Sequence, residues 1–260
     1  MKRFFKYLKG TYLGLVLLFL YAPIVVMIAL SFNASKTRAK WGGFTFGWYK
    51  ELFTNSPEIM QALRITLEVA VIATAVSVVL GTLAAIGIYA SKKGYARTLL
   101  NLSYLPMTMP DIVTGVSLML MFVFVKLPRG MLTMILAHIT FDTPYVLFAV
   151  LPKLRQLDPN TYEAALDLGC KPMKAIFKVM IPEIRPGIAT GGLLALTMSL
   201  DDFVISFFTT DYDQNLSTLI YSAAKRSVPP SIYALSTLMF ITILALLIII
   251  NRRSTLESMS

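Results

Sequence analysis

The sequence predicts an all-α membrane protein of six transmembrane helices. Three observations predict it. Of 260 residues, 56% are apolar and 15% charged, with mean hydropathy +0.68. An average soluble domain is roughly 45–50% apolar and about 25% charged. The apolar residues gather in blocks close to the ~20 residues that a helix needs to cross a bilayer core of about 30 Å. No block contains Lys or Arg.

The blocks are 11–31, 65–90, 99–124, 131–151, 187–208 and 232–250. Lys2, Arg3, Lys6 and Lys9 precede the first, as in a secretory signal. Its apolar run is too long for one, and no clean small-x-small cleavage site follows, so it reads as an uncleaved span. The third block carries Pro106 and Pro110, four apart, which predicts a broken or kinked helix. Between the blocks lie two sizeable polar segments, 32–64 and 152–186. Neither is long enough for a domain, so residues 1–260 read as a single transmembrane domain.

Basic residues orient the spans. Fifteen of the 24 Lys and Arg fall in the N-tail, the 91–98 loop, the 152–186 loop and the C-tail, against eight on the other side. This places both termini in the cytoplasm. The 32–64 segment is then external, and its Trp41, Phe44, Phe46, Trp48 and Tyr49 read as an interfacial aromatic belt. The net charge of +10 follows from this bias and is no nucleic-acid footprint. With one cysteine (Cys170) and one histidine (His138), disulfide scaffolds, zinc sites and catalytic triads fall away. No GxxxxGK[ST] phosphate loop is present, so no catalytic residue is assigned.

The 152–186 segment is bracketed by prolines. Asp158-Pro159-Asn160-Thr161 starts a short helix, with Thr161 as its expected cap, and Gly169 ends it or bends it sharply. After Lys171-Pro172 a second helix shows Met173, Ile176, Phe177 and Met180 as an amphipathic stripe. On these features alone, the pair is either a docking element or a linker lying on the membrane. The pattern is more specific. Glu163-Ala164-Ala165, three residues, Gly169, nine residues, then Val179-Met180-Ile181-Pro182 resembles the EAA loop of ABC-importer permeases, with Val179 and Ile181 replacing Ile and Leu. That resemblance implies a coupling helix, with Glu163, Ala164, Ala165 and Gly169 seated in an ATP-binding subunit.

Five of the 14 acids lie within the blocks: Glu68, Asp111, Asp142, Asp201 and Asp202. Unpaired carboxylates are costly in a bilayer, so such residues face the bundle interior or a wet path. Glu68 follows Arg64 by four residues and Asp142 follows His138 by four, so both read first as helical pairs. Asp111 follows the two prolines, and broken helices at membrane depth mark substrate paths. Asp201 and Asp202 are adjacent and point about 100° apart on a helix. One of them can bind a cation while the other bonds to a neighbour. Ser199, Ser206, Thr209 and Tyr104 offer hydroxyls nearby, and Phe203, Phe207 and Phe208 offer ring faces. Acids within the spans and bases outside them suggest a cationic cargo, with Asp111, Asp201 and Asp202 as binding residues and no metal site.

A closer resemblance rests on Ser31-Phe32-Asn33, Gly43-Phe44-Thr45 with Trp48-Tyr49, Met109-Pro110-Asp111-Ile112-Val113, His138-Ile139-Thr140-Phe141, the EAA segment and Ser199-Leu200-Asp201-Asp202-Phe203-Val204. Together they look like the spermidine/putrescine permease family of the PotC type, over nearly the whole chain. The resemblance implies a type I ABC importer permease fold in a bacterial cytoplasmic membrane. It implies as partners a PotB-like second permease, a dimer of ATP-binding subunits that holds the ATP and Mg, and an external polyamine-binding protein. This chain would bind no cofactor itself. Asp142 departs from the family's expected uncharged residue. Other cargoes (thiamine, ferric iron, an aminophosphonate), an ion-coupled carrier and a non-transporting scaffold are the alternatives.

Overall fold

The computed structural model describes residues 2–37, 39–226 and 228–257, with side chains for 10–37, 39–158, 160–226, 228–242 and 244–245. The side chains of Lys2, Arg3, Lys6, Lys9, Arg38, Arg252 and Arg253, which the charge count uses, lie outside the described residues. Twelve α-helices are described, from α1 (Lys2–Ser31) to α12 (Pro230–Glu257), and the chain forms two compact units.

Residues 1–60 and 220–260 make one unit. Here α12 packs on α1 and on α2 (Gly47–Thr54). Between α1 and α2 the chain doubles back through a bridge from Asn33 to Phe44. Trp48 is buried, and its Nε1 donates to the Asn33 carbonyl at 2.6 Å. The rings of Phe32, Phe44, Phe46 and Tyr49 pack together beside it. Trp48 is therefore a core residue of this loop, not part of an exposed belt. Trp41, Phe44 and Phe46 stay exposed.

Residues 61–219 make the other unit. Its helices are α3 (Pro57–Tyr89), α4 (Lys93–Thr108), α5 (Asp111–Phe124), α6 (Met131–Gln156), α7 (Pro159–Asp167), α8 (Pro172–Ala175), α9 (Ile181–Asp201), α10 (Val204–Thr209) and the start of α11 (Leu216–Arg226). Helix α6 is the centre. Its Val146, Val150 and Leu154 pack with Ala85 and Ile88 of α3 and with Ile184 and Ala195 of α9. Lipid gives helices no hydrophobic reason to associate, so close approach over small residues carries the packing. A Cβ on Gly81 of α3 would meet Val146 at 2.6 Å, and one on Gly191 would meet the Val146 backbone at 3.0 Å. Gly187 and Gly191 form a GxxxG face on α9 that packs along α6, a signal the span-by-span reading overlooks.

Among the described residues, three continuous helical stretches have the length and apolarity to cross a membrane: Gly10–Ser31, Pro57–Tyr89 and Met131–Gln156. They contain the first and fourth predicted spans and the second up to its last residue, Ala90. The third is interrupted at Met109–Pro110, and α4 and α5 meet at 103°. Pro110 lacks the N–H to continue α4, as its spacing from Pro106 predicts. The fifth, expected to run unbroken over 187–208, is divided: α9 ends at Asp201 and α10 starts at Val204. The described apolar part of the sixth is Pro230–Thr242, within α12.

Candidate functional site

The coupling segment is built from short helices. Asp158, not Thr161, caps α7, its Oδ1 accepting the Asn160 N–H at 3.0 Å. Gly169 ends the helix at φ +81°, a conformation open to glycine at no steric cost. The Gly169 and Cys170 N–H groups close back onto Leu166 and Ala165. After α8 the chain makes a π-helical turn, Ile176–Met180, that runs straight into α9. The wider turn breaks the 3.6-residue register. The expected stripe therefore divides: Met180 is buried, while Met173 and Phe177 are exposed. On α7, Glu163 and Ala164 are exposed, Ala165 is half-buried, and Leu168 just beyond is 89% exposed. A groove of about 440 Å³ separates the inner side of α7 from the end of α3; Tyr89, Tyr162, Glu163 and Val179 help to line it.

The acids behave differently from one another. Glu68 pairs with Arg64 at 2.6 Å on the surface of α3, as the spacing predicts. His138 does not pair with Asp142. Its Nδ1 lies 2.6 Å from the Ser199 Oγ, its Nε2 lies 2.9 Å from the Ser206 Oγ, and Asp202 is 3.4 Å from the same Nε2. Hydrogen counting fixes part of this network. The single Ser206 hydroxyl proton goes to Asp202 Oδ2 at 2.9 Å. Asn215 Nδ2 donates to the Ser206 oxygen at 2.8 Å. His138 Nε2 must therefore carry a hydrogen.

Asp202 is nearly buried, its side chain 7% exposed. Besides the Ser206 hydroxyl it accepts the Ser206 N–H at 2.7 Å and the Ile205 N–H at 3.2 Å. It closes the α9–α10 elbow in the manner of a helix cap. Ser199, Ser206 and Asn215 belong to the same latch, and Thr209 bonds within the fold at both its oxygens. The hydroxyls offered by Ser199, Ser206 and Thr209 are structural here. Asn215, which also holds the Thr218 N–H at 3.0 Å, was not singled out by the sequence reading. Its place directly before a helix is the signal that could have found it.

Asp201 and Asp111 are free of this latch, and both are exposed. Asp201 is the last residue of α9, at the negative end of the helix dipole, where a carboxylate is unfavourable without a cation. Asp111 opens α5 directly after the Pro110 break. One helical turn on, Gly115 meets α10: a Cβ there would touch Phe208 at 3.1 Å and the Val204 carbonyl at 3.4 Å. Helix α5, which Asp111 opens, thus packs on α10, the helix that follows the break after Asp201. The Tyr104 ring packs against Phe148 at 4.3 Å, tilted by 56°, and Phe203 against Phe207 at 5.4 Å, tilted by 39°.

Three comparisons give this geometry a context. The chain is 40% identical over 232 residues to the putrescine transport system permease protein PotI of Escherichia coli strain K12, covering 85% of this chain and 81% of that one. It is 34% identical over 250 residues to the spermidine/putrescine transport system permease protein PotC of Haemophilus influenzae strain Rd, covering 96% of each. Its fold matches, at a TM-score of 0.71 and 18% identity, a chain of a bacterial alginate ABC transporter in complex with an alginate pentasaccharide-bound periplasmic protein, covering 96% of this chain and 93% of that one. Residues 77–254, which hold the α7 segment and both helix breaks, match the family model of binding-protein-dependent transport system inner membrane components. The chain belongs to that family: it is the all-helical membrane subunit of an ABC importer, not the subunit that hydrolyses ATP.

Proposed function

We propose that this subunit forms one membrane half of a polyamine importer. It crosses the bacterial cytoplasmic membrane six times with both termini inside, beside a PotB-like second permease. The observation that carries the cargo assignment is Asp201 at the negative end of α9, with Asp111 on the neighbouring break. C-terminal ends of broken helices favour cations in membrane carriers. Two exposed carboxylates suit the ammonium groups of a polyamine and repel anions. The putrescine and spermidine relatives support the same cargo.

Coupling falls to Glu163, Ala164, Ala165 and Gly169. An exposed short helix with small residues and a bare Leu168 fits a groove on a dimer of ATP-binding subunits, which carries the ATP and Mg. ATP-driven closure of that dimer pulls α7, and the π turn carries the pull into α9 without a break in the helix. The external binding protein then releases a polyamine toward Asp201 and Asp111. Asp202 keeps the elbow that presents Asp201.

The test is uptake by vesicles holding both permeases, the ATPase and the binding protein. ATP-dependent uptake of putrescine or spermidine is expected, with none of thiamine, ferric iron or aminophosphonates. ATP-independent uptake, or a preference for one of those cargoes, refutes the assignment. In the same vesicles Glu163→Lys is expected to abolish uptake and weaken the hold on the ATPase. Full coupling in that variant refutes the docking role.

A further inference from the structure

Asp142 has no part in the latch or in the pair of exposed acids. It is 0% exposed, and among the described residues both of its carboxylate oxygens lack a hydrogen-bond partner. Asp202, across the contact between α6 and the elbow, lies close enough to repel it. His138, one turn away on the same helix, is taken up by Ser199 and Ser206. An ionised carboxylate without partners in such a place carries a desolvation penalty that nothing nearby offsets. A positive species must neutralise it, either a proton or a cation that reaches it.

Tyr145, half-buried on the next turn of α6, lies within electrostatic reach of both Asp142 and Asp111. Exposure falls from Asp111 through Tyr145 to Asp142. The Tyr145 ring, 5.4 Å from Phe141, offers an aromatic face to a passing cation. Pro144 lies inside α6 two residues after Asp142 and withdraws the N–H that would bond the Thr140 carbonyl, which loosens the helix there.

We propose that Asp142 is an inner subsite for a primary alkylammonium group, reached from Asp111 past Tyr145, where the arriving cation takes the place of the acid's proton. The carboxylic acid releases its proton to water. The ammonium keeps its own three hydrogens and donates to the two freed oxygens. The titratable groups that face the exchange are Asp202 from the elbow, Tyr145 and His138 from α6, and Asp111 at the entrance. The inference rests on the polyamine reading and adds to it a second contact for a cargo with two charged ends.

The experiment uses the complete importer in vesicles and N,N′-dicyclohexylcarbodiimide, an apolar reagent that modifies protonated carboxylic acids. The label on the Asp142 peptide is followed by mass spectrometry with and without putrescine. Wild type is expected to be labelled at Asp142, and putrescine is expected to protect it. Asp142→Asn is expected to lose that label and to raise the KM for putrescine about tenfold. Two results overturn the inference alone: no label at Asp142, or a label that putrescine leaves untouched in an importer that carries putrescine. Absence of uptake for every polyamine overturns the cargo reading, and this subsite with it.

Discussion

Putrescine uptake is expected to fall about a hundredfold when Asp111→Asn and Asp201→Asn are combined, and about tenfold in each single variant. A charge-assisted hydrogen bond contributes about 1.5–3 kcal/mol, and 1.4 kcal/mol is a factor of ten. Asparagine keeps the shape and an acceptor oxygen while removing the charge, so the loss reads charge alone. Neither side chain is held by the latch, and both are exposed, so assembly should be unchanged. The check is initial uptake rate against putrescine concentration, with the amount of assembled complex and its basal ATPase rate measured alongside. Basal hydrolysis is expected to persist, because α7 and its partner surface are untouched. If the double variant transports at the wild-type rate, the two helix breaks do not form the cation path.

The same two breaks show what a sequence can and cannot display. The break at Met109–Pro110 was legible because proline removes a donor, a covalent fact independent of context. The break at Asp202 has no proline, and its run of apolar neighbours reads as one span. It forms because Asp202 accepts the N–H groups of Ile205 and Ser206 while His138, from α6, closes the other side. That second half comes from a residue 64 positions earlier and has no local signature. The α7 segment was legible down to Gly169, since its positive φ and the spacing around it are local properties. The π turn was not, and it spoiled the Met173–Met180 stripe. Trp48 was misplaced for a related reason: composition marks an aromatic as interfacial, but only the fold supplies the Asn33 carbonyl that buries it. The acids divided along the same line. Their presence within the membrane was plain from the sequence, and the difference between the latched Asp202, the exposed Asp201 and the bare Asp142 was not.

Asp202→Ala is expected to deplete the folded importer, whereas Asp201→Ala is not. Adjacent carboxylates with opposite consequences are a sharp test of the elbow. Truncating Asp202 strands the Ile205 N–H, the Ser206 N–H and the Ser206 hydroxyl, and it leaves His138 facing a gap. Each buried group left unsatisfied costs about 1–3 kcal/mol, so three together cost on the order of 3–9 kcal/mol, comparable with the whole stability of many domains. The Ser206 hydroxyl can turn to another acceptor, which places the expected loss toward the lower end. Asp202→Asn should be milder, because an amide oxygen in the Oδ2 position can still accept from the Ser206 N–H and the Ser206 hydroxyl. Its NH₂ group then takes the Oδ1 position and confronts the Ile205 N–H, so some destabilisation remains. Asp201→Ala removes an acid from the negative end of α9, a change that the helix dipole favours. The readouts are the yield of assembled complex and its thermal denaturation midpoint in detergent, ordered wild type and Asp201→Ala first, Asp202→Asn next, Asp202→Ala last. The opposite outcome is equally informative. If Asp202→Ala assembled and melted like wild type and lost only uptake, its carboxylate would belong to the cargo, and the elbow would be held by Asn215 and the α5 packing alone.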